Sequence, residues 1–105
     1  MAVVKKKRVR WTLPNDSDLV ATRVRVNGTD GTIFLSDPFI DVPFPEAEII
    51  LPDAFPPGTF DLDTNYIVGL SSIDDVGNEG DIIEVSSPFD FVAPGVPTQI
   101  VVENI

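Results

Sequence analysis

The 105-residue chain contains no cysteine and no histidine. Without cysteine it has no disulfide framework and no thiolate chemistry. Without histidine it lacks the commonest general base and the commonest ligand of transition metals. Hydrolytic triads and zinc sites of the usual kinds are therefore excluded. Paired carboxylates are the remaining catalytic candidates, but no Asp or Glu lies in a recognisable catalytic context. We predict that the protein is not an enzyme and needs no cofactor.

Long hydrophobic runs are also missing. No run approaches the roughly 18 apolar residues of a membrane span. The basic run at residues 5–8 resembles the start of a signal peptide, but no apolar segment follows it. We therefore expect no membrane insertion. The chain is expected to be either cytoplasmic or a fragment of a larger exported protein.

Positive charge is absent from most of the chain. All seven Lys and Arg lie before Val26, where only Asp16 and Asp18 are acidic, so this segment carries +5. The remaining 15 acidic residues give residues 26–105 a charge of −15, and the whole chain carries −10. This balance argues against nucleic-acid binding and suits head-to-tail association. The expected partner is a protein, with a second copy of this chain among the candidates.

Apolar residues make up 43% of the chain, which is enough for the core of a single domain. Residues 62–81 are predicted to form the central strand of this domain and the turn that follows it. Tyr66, Val68 and Leu70 share a large apolar face, the residues between them form a mixed face, and an acidic turn follows at residues 74–80. A period of two predicts a strand with one face on a core. Residues 82–92 are predicted to pair with that strand.

The first predicted strand covers residues 3–13. Val9, Trp11 and Leu13 share one of its faces, and the size of Trp11, the only tryptophan, makes it a natural centre for the core. The alternative is an exposed Trp that stacks on a sugar or a base. Alternation with two apolar neighbours favours the core.

The second predicted strand, residues 19–26, alternates between apolar and charged side chains. The buried face is predicted to hold Val20, Val24 and Val26, and the outward face Arg23 and Arg25. Asn-Gly and Asp-Gly pairs in residues 27–31 predict a hairpin turn, and residues 32–36 a third strand. Three prolines confine residues 37–45 to an edge strand or a connector, and residues 47–51 are a short fourth strand. No segment has a helical period, so the pattern predicts a β-sandwich.

Three features together resemble the fibronectin type III family. They are Trp11 on an early strand, the segment at residues 62–66 that leads into Tyr66, and the turn at residues 74–79 with its Gly77-Asn78 pair. The resemblance implies an all-β, antiparallel β-sandwich of about seven strands. It also implies that Trp11 lies on strand B, that Tyr66 lies on strand F, and that the Gly-Asn turn joins strands F and G.

Members of this family have a whole strand, A, ahead of the Trp strand, and only ten residues precede Trp11 here. At the other end, residues 93–97 form a Pro/Gly linker after a domain at residues 1–92, and residues 98–105 read as a strand. In tandem arrays such a segment resembles strand A of the next domain. We therefore expect the N-terminal A strand to be missing or supplied by the C-terminal segment.

The leading hypothesis is that the protein is a non-catalytic structural or adhesive module that associates with itself. Residues 98–105 of one molecule would then add as a strand beside residues 3–13 of the next. Such a head-to-tail contact gives rings or filaments. The residues expected at this contact are Ile100, Val102, Val3 and Val9. A disordered tail, a tail folded back on its own molecule and a fragment of a longer array remain alternatives.

The runner-up is recognition of a protein or a carbohydrate through loops, which the resemblance places at one pole, at residues 14–18 and 74–81. Two acidic loops side by side would suit a basic partner. The candidate binding residues are Asp16, Asp18, Asp74, Asp75, Asn78, Glu79 and Asp81. Calcium is an open alternative through Asp74, Asp75 and Asp81, because it prefers hard oxygen ligands. Two hydrated turns without a ligand explain the same residues.

Overall fold

The structure, a computed structural model, describes residues 5–28, 32–61, 64–85, 88–91, 99 and 101–105. These residues form six strands: β1 (Lys7–Arg10), β2 (Leu19–Asn27), β3 (Phe39–Pro43), β4 (Glu48–Leu51), β5 (Ile67–Asp74) and β6 (Ile83–Glu84). No helix occurs in this part of the chain. The prediction of an all-β fold is confirmed, and β4, β5 and β6 lie within the segments predicted for them.

The strands form two antiparallel sheets. One pairs β1 with β4, and the other has the order β3-β2-β5-β6. Apolar side chains from both sheets meet between them and form the core, which confirms a sandwich-like arrangement. Its buried members are Val24, Val26, Val42, Leu51, Phe55, Tyr66, Val68 and Phe91. The described chain has six strands rather than about seven.

The central strand, β5, is buried on both faces. On the inner face, Val68 is completely buried in the core. On the outer face, Gly69 is covered by Ile33, which comes from the loop that connects β2 to β3. A Cβ added at Gly69 would lie 2.7 Å from Cγ1 of Ile33 and 2.9 Å from Cγ2 of Ile82. The loop can therefore pack onto the sheet only because the strand has no side chain at this position.

Aromatic rings fill the end of the core where β5 begins. The ring of Phe60 meets those of Phe55, Tyr66 and Phe91 edge to face, with centroids 4.8 to 5.4 Å apart. Trp11, in contrast, is only partly buried and packs against the side of the core, with its Nε1 donating a hydrogen bond to Oγ1 of Thr22 at 3.1 Å. Trp11 is therefore a rim residue and not the centre of the core.

The third strand lies elsewhere than predicted. Residues 32–36 form a turn-containing loop, and the strand is β3, inside the segment whose prolines predicted an edge strand or a connector. It is an edge strand. Asp37 explains the loop, because its side chain accepts hydrogen bonds from the backbone N–H of Phe34 at 2.7 Å and from Nδ2 of Asn27 at 3.0 Å. These bonds replace the ladder that a strand would need.

Two side chains of β2 differ from the prediction, Val20 in the face that it occupies and Arg25 in its burial. Val20 is 44% exposed, and Leu19 is buried in its place. The pairing of β2 with β5 shifts between Leu19 and Ala21, and such a bulge turns the local side chains to the other face. Arg25 was predicted to point outward into solvent, but it is only 3% exposed. It does lie on the outer face, and that face is covered.

The described part of the C-terminal segment does not form the predicted strand within one molecule. Its described residues, 99 and 101–105, have no regular secondary structure and are exposed. The longest dimension of the molecule is 68 Å, against 30 and 24 Å for the other two. Residues 92–98 and Ile100 lie outside the described residues, as do the predicted hairpin residues 29–31 and Val3.

We expect Gly69→Ala to destabilise the fold by about 1–3 kcal/mol, because the added methyl group must displace Ile33 or Ile82. Gly80→Ala is the matched control, since the nearest atom to its added Cβ would be 3.9 Å away. Urea unfolding of both variants measures the effect. Equal losses of stability in the two variants would show that the loop does not depend on Gly69.

Candidate functional site

The candidate site lies along the free edge of β1. In the part of the chain that the structure describes, β1 pairs with β4 alone. The backbone N–H of Trp11 donates to the carbonyl of Ala47 on the β4 side, so the alternate residues Arg8 and Arg10 direct their N–H and C=O groups away from β4. A row of unpaired backbone groups is the usual template for another strand.

Beside this edge an apolar cleft of about 360 Å³ opens between the two sheets. Val9 and Trp11 form one wall, Val68 and Leu70 of β5 form the floor, and Ile83 and Val85 form the other wall. Ile83 is 68% exposed. The cleft is therefore an incompletely covered part of the core between β1 and β6.

The alternation predicted for the first strand produces this geometry. Lys7, Val9, Trp11 and Leu13 are half-buried, while the residues between them are exposed. Val9 and Trp11 therefore point toward the cleft and Arg8 points into solvent, while Arg10, although exposed, also borders the cleft. Arg8 lies 3.6 Å from Glu48 of β4, and no described residue forms an ion pair with Arg10.

The residues predicted for self-association divide into two groups. Val9 lies in β1 and lines the cleft, and Val102 is 92% exposed in the tail. Val101 and Ile105 are also exposed. The positions of Val3 and Ile100 lie outside the described residues. Exposed apolar residues of the tail and an apolar cleft that no other described residue covers thus occur in the same molecule.

The residues predicted for loop binding also come together in part. The loop before β2 and the turn after β5 line one open cleft of about 370 Å³, which includes Asp16, Asp18, Asp74, Asn78 and Glu79. Asp75 lies exposed at the tip of the turn, and Asp81 lines a different cleft, beside Trp11. The two acidic loops are therefore neighbours at one pole, as expected.

The carboxylate of Asp74 already has partners within its own turn. Asp74 accepts hydrogen bonds from the side chain of Asn78 at 2.9 Å and from its backbone N–H at 2.8 Å. These bonds, together with the backbone N–H of Val76, hold the pKa of Asp74 below its usual value. No group of three or more acidic side chains that could hold a metal ion occurs among the described residues.

Glu79 belongs to a network that the sequence did not predict. Arg25 donates two hydrogen bonds to its carboxylate, one of them to Oε1 at 3.1 Å, and Ser71 donates a third. Arg23 contacts the same carboxylate at 3.4 Å, and it also forms a two-bond pair with Asp41 at 2.8 and 3.0 Å. The hydrogen bond from Arg25 is the largest cause that lowers the pKa of Glu79, to about 2.

The ring of Phe39 completes this network, because the guanidinium group of Arg23 lies 4.1 Å from its centroid. The only signal in the sequence was the placement of two arginines on one face of a strand. That pattern is typical of a solvated face, and it does not indicate that a carboxylate 54 residues later in the chain returns to cover Arg25.

Comparison of this chain with protein-family models, curated proteins and solved structures finds no match. Among the described residues no helix is long and apolar enough to cross a membrane.

We expect Glu79→Gln to reduce stability at pH 7 by about 2 kcal/mol and to remove one pH-dependent part of it. The pKa of Glu79 is about 2 in the folded protein and 4.5 as its ordinary value. Its stabilising contribution is therefore complete above pH 4.5 and is lost as the pH falls toward 2. Urea unfolding at pH 7, 5, 4 and 3 tests this.

The control is Asp75→Asn, which removes an exposed carboxylate from the same turn. It should leave the stability at pH 7 close to that of the wild type, because this carboxylate is exposed. If the Glu79→Gln variant and the wild type lose stability in parallel between pH 4.5 and 3, the pairing of Glu79 with Arg25 does not stabilise the outer face of the sheet.

Proposed function

We propose that this protein is a non-catalytic structural or adhesive module with a fibronectin type III-like sandwich, and that it associates with other copies of itself. The C-terminal segment, residues 98–105, is the donated strand, and the free edge of β1 is the acceptor. The observation that carries the proposal is the combination of that edge with the open apolar cleft beside it.

The arrangement of strands supports the fibronectin-like assignment. In immunoglobulin-like sandwiches, strands A, B and E share one sheet, and C, F and G share the other. With β1 as strand B and β5 as strand F, β4 takes the place of E, and β2 and β6 take the places of C and G. In this scheme strand A lies on the side of β1 that has no partner in the described chain.

Tyr66 gives independent support. It precedes β5 directly, and its hydroxyl group accepts a hydrogen bond from the backbone N–H of Asp61, five residues upstream. A tyrosine at the start of strand F whose hydroxyl bonds back to the upstream backbone is the tyrosine corner of immunoglobulin-like sandwiches.

Association is favourable because addition of one strand stabilises both the free edge of β1 and the apolar cleft beside it. An added strand pairs with the backbone groups of Arg8 and Arg10 that face away from β4. Its alternate side chains cover the cleft, where each fully buried Val or Ile contributes about 1.5–3 kcal/mol. Neither gain is available to the single molecule that the structure shows.

We expect light scattering of the full chain over a concentration series to show oligomers whose size grows with concentration. A chain that ends at Pro97 should remain monomeric, because it has no donor strand. A third chain, with residues 98–105 replaced by Gly and Ser at equal length, controls for tail length and should also be monomeric. Equal masses for all three chains at every concentration would contradict the proposal.

We expect Ile83→Lys to abolish these oligomers without loss of stability in the monomer. Ile83 is exposed in one molecule but lines the acceptor cleft, so that a charged side chain there would have to be buried by the incoming strand. Val76→Lys is the matched control, because Val76 is 77% exposed in the turn after β5 and lies outside this cleft. Sedimentation of both variants measures the effect, and equal oligomerisation of the two would exclude the cleft as the acceptor.

A second candidate function is recognition of a basic protein at the acidic pole. The observation that favours it is the single cleft that Asp16, Asp18 and Asp74 share. The two functions separate cleanly, since recognition at this pole should survive loss of residues 98–105 and should be lost in an Asp16→Asn/Asp18→Asn variant. Self-association should show the opposite pattern.

A further inference from the structure

We infer that the cleft beside β1 takes the tail of a second copy and not the tail of its own molecule, with the tail antiparallel to β1. In this arrangement Val102 of the donor lies opposite Val9 in the cleft, and Glu103 lies opposite Arg8 on the outer surface. This inference rests on the proposed function and specifies its partner, direction and register.

The direction follows from where the tail leaves the sandwich. The backbone N–H of Lys5 donates to the carbonyl of Phe91 at 2.8 Å. Phe91 therefore lies at the end of the domain where β1 begins. A tail that folded straight back along its own β1 would run parallel to it.

An antiparallel tail in the proposed register would begin at the other end of β1, with residue 98 opposite Leu13. From Lys5 to Leu13 an extended chain measures about 26 Å. The seven residue steps from Phe91 to residue 98 span at most about 25 Å. The linker is therefore too short for the tail to reach this position on its own domain. The tail of a second copy can enter at that end directly.

Antiparallel addition is also the arrangement that the edge favours. Antiparallel pairing is slightly more stable per residue than parallel pairing. The existing neighbour of β1, β4, is antiparallel as well, so an antiparallel third strand would extend the same type of ladder.

The register follows from the alternation of the two segments. Val9 faces the cleft while Arg8 is exposed outside it, and Arg10 is exposed at the border of the cleft. If Val102 lies opposite Val9, then Glu103 lies opposite Arg8, and a carboxylate is paired with a guanidinium group across the strands. A slip by two residues would instead place Asn104 opposite Val9, with a polar side chain in an apolar cleft. Apolar burial outweighs an exposed ion pair, so the first register is favoured.

Charge selects a second copy as the occupant. The acceptor strand and the residues before it hold Lys5, Lys6, Lys7, Arg8 and Arg10, five of the seven cations of the chain. Residues 26–105, which include the tail, contain no Lys or Arg. The tail has one charged side chain, Glu103, and the acceptor edge is basic, although Lys6 and Arg8 also contact Asp53 and Glu48 of their own chain. Opposite charges on the two segments therefore favour the pairing of identical copies.

The absence of cysteine allows a direct test. One chain carries Arg8→Cys and a second, with a tag that changes its size, carries Glu103→Cys. After mixing and mild oxidation, we expect a disulfide-linked heterodimer on a non-reducing gel, because facing residues of adjacent strands have the Cα separation of a disulfide. The matched control is Arg10→Cys with the same Glu103→Cys partner. It tests the slipped register and should cross-link several-fold more slowly.

The double variant Arg8→Cys/Glu103→Cys shows whether the tail binds to a second copy or to its own molecule. A ladder of linked oligomers is expected, and a monomer with an internal disulfide would overturn the inference. Faster cross-linking at Arg10 than at Arg8 would overturn the register. If neither pair links while the tail still controls the mass in light scattering, the inference fails and the proposed function stands. If the tail has no effect on mass either, both fail.

Discussion

The structure depends on the burial of β5 on both of its faces. Its inner face supplies Val68 to the core, and its outer face is closed at Gly69 by the loop that carries Ile33. A strand buried on both sides fixes its own register, because a slip by one residue would exchange the two faces. β2 and β6 take their positions from it, and β6 in turn forms one side of the cleft beside β1.

Closing the outer face requires burial of charge. Arg25 is almost fully buried, and an unpaired charge there would cost several kcal/mol. Glu79 supplies the counter-charge and Ser71 a further hydrogen bond. One of the acidic residues that looked like a binding group from the sequence is therefore needed to cover the sheet. Asp74 similarly stabilises the turn that presents Glu79. Asp16 and Asp18 retain exposed carboxylates at this pole.

The sequence predicted those features that depend on local pattern. Alternation located β1 and β5, and prolines marked β3 as an edge strand. Prediction from the sequence failed where contacts with distant residues determine the local structure. Residues 32–36 have the composition of a strand, but the capping bonds of Asp37 and the space above Gly69 make them a loop. Arg25 has the pattern of a solvated residue, and only Glu79 makes its burial tolerable. The bulge that exposes Val20 has no signal in the sequence.

The free edge of β1 has two features with opposite effects on association. Short edge strands rich in Lys and Arg are a common protection against indiscriminate pairing, and β1 has both properties. The cleft beside it has the opposite effect, because it exposes apolar side chains that a compact domain normally covers. A strand with apolar residues at every second position and an acidic residue between them is stabilised by both features. Its apolar side chains fill the cleft, and its acidic side chain pairs with the basic edge. Since association itself costs about 4–15 kcal/mol, a few buried side chains and one short ladder give a modest affinity. The proposed assembly would then be controlled by concentration, with each molecule at once a donor and an acceptor.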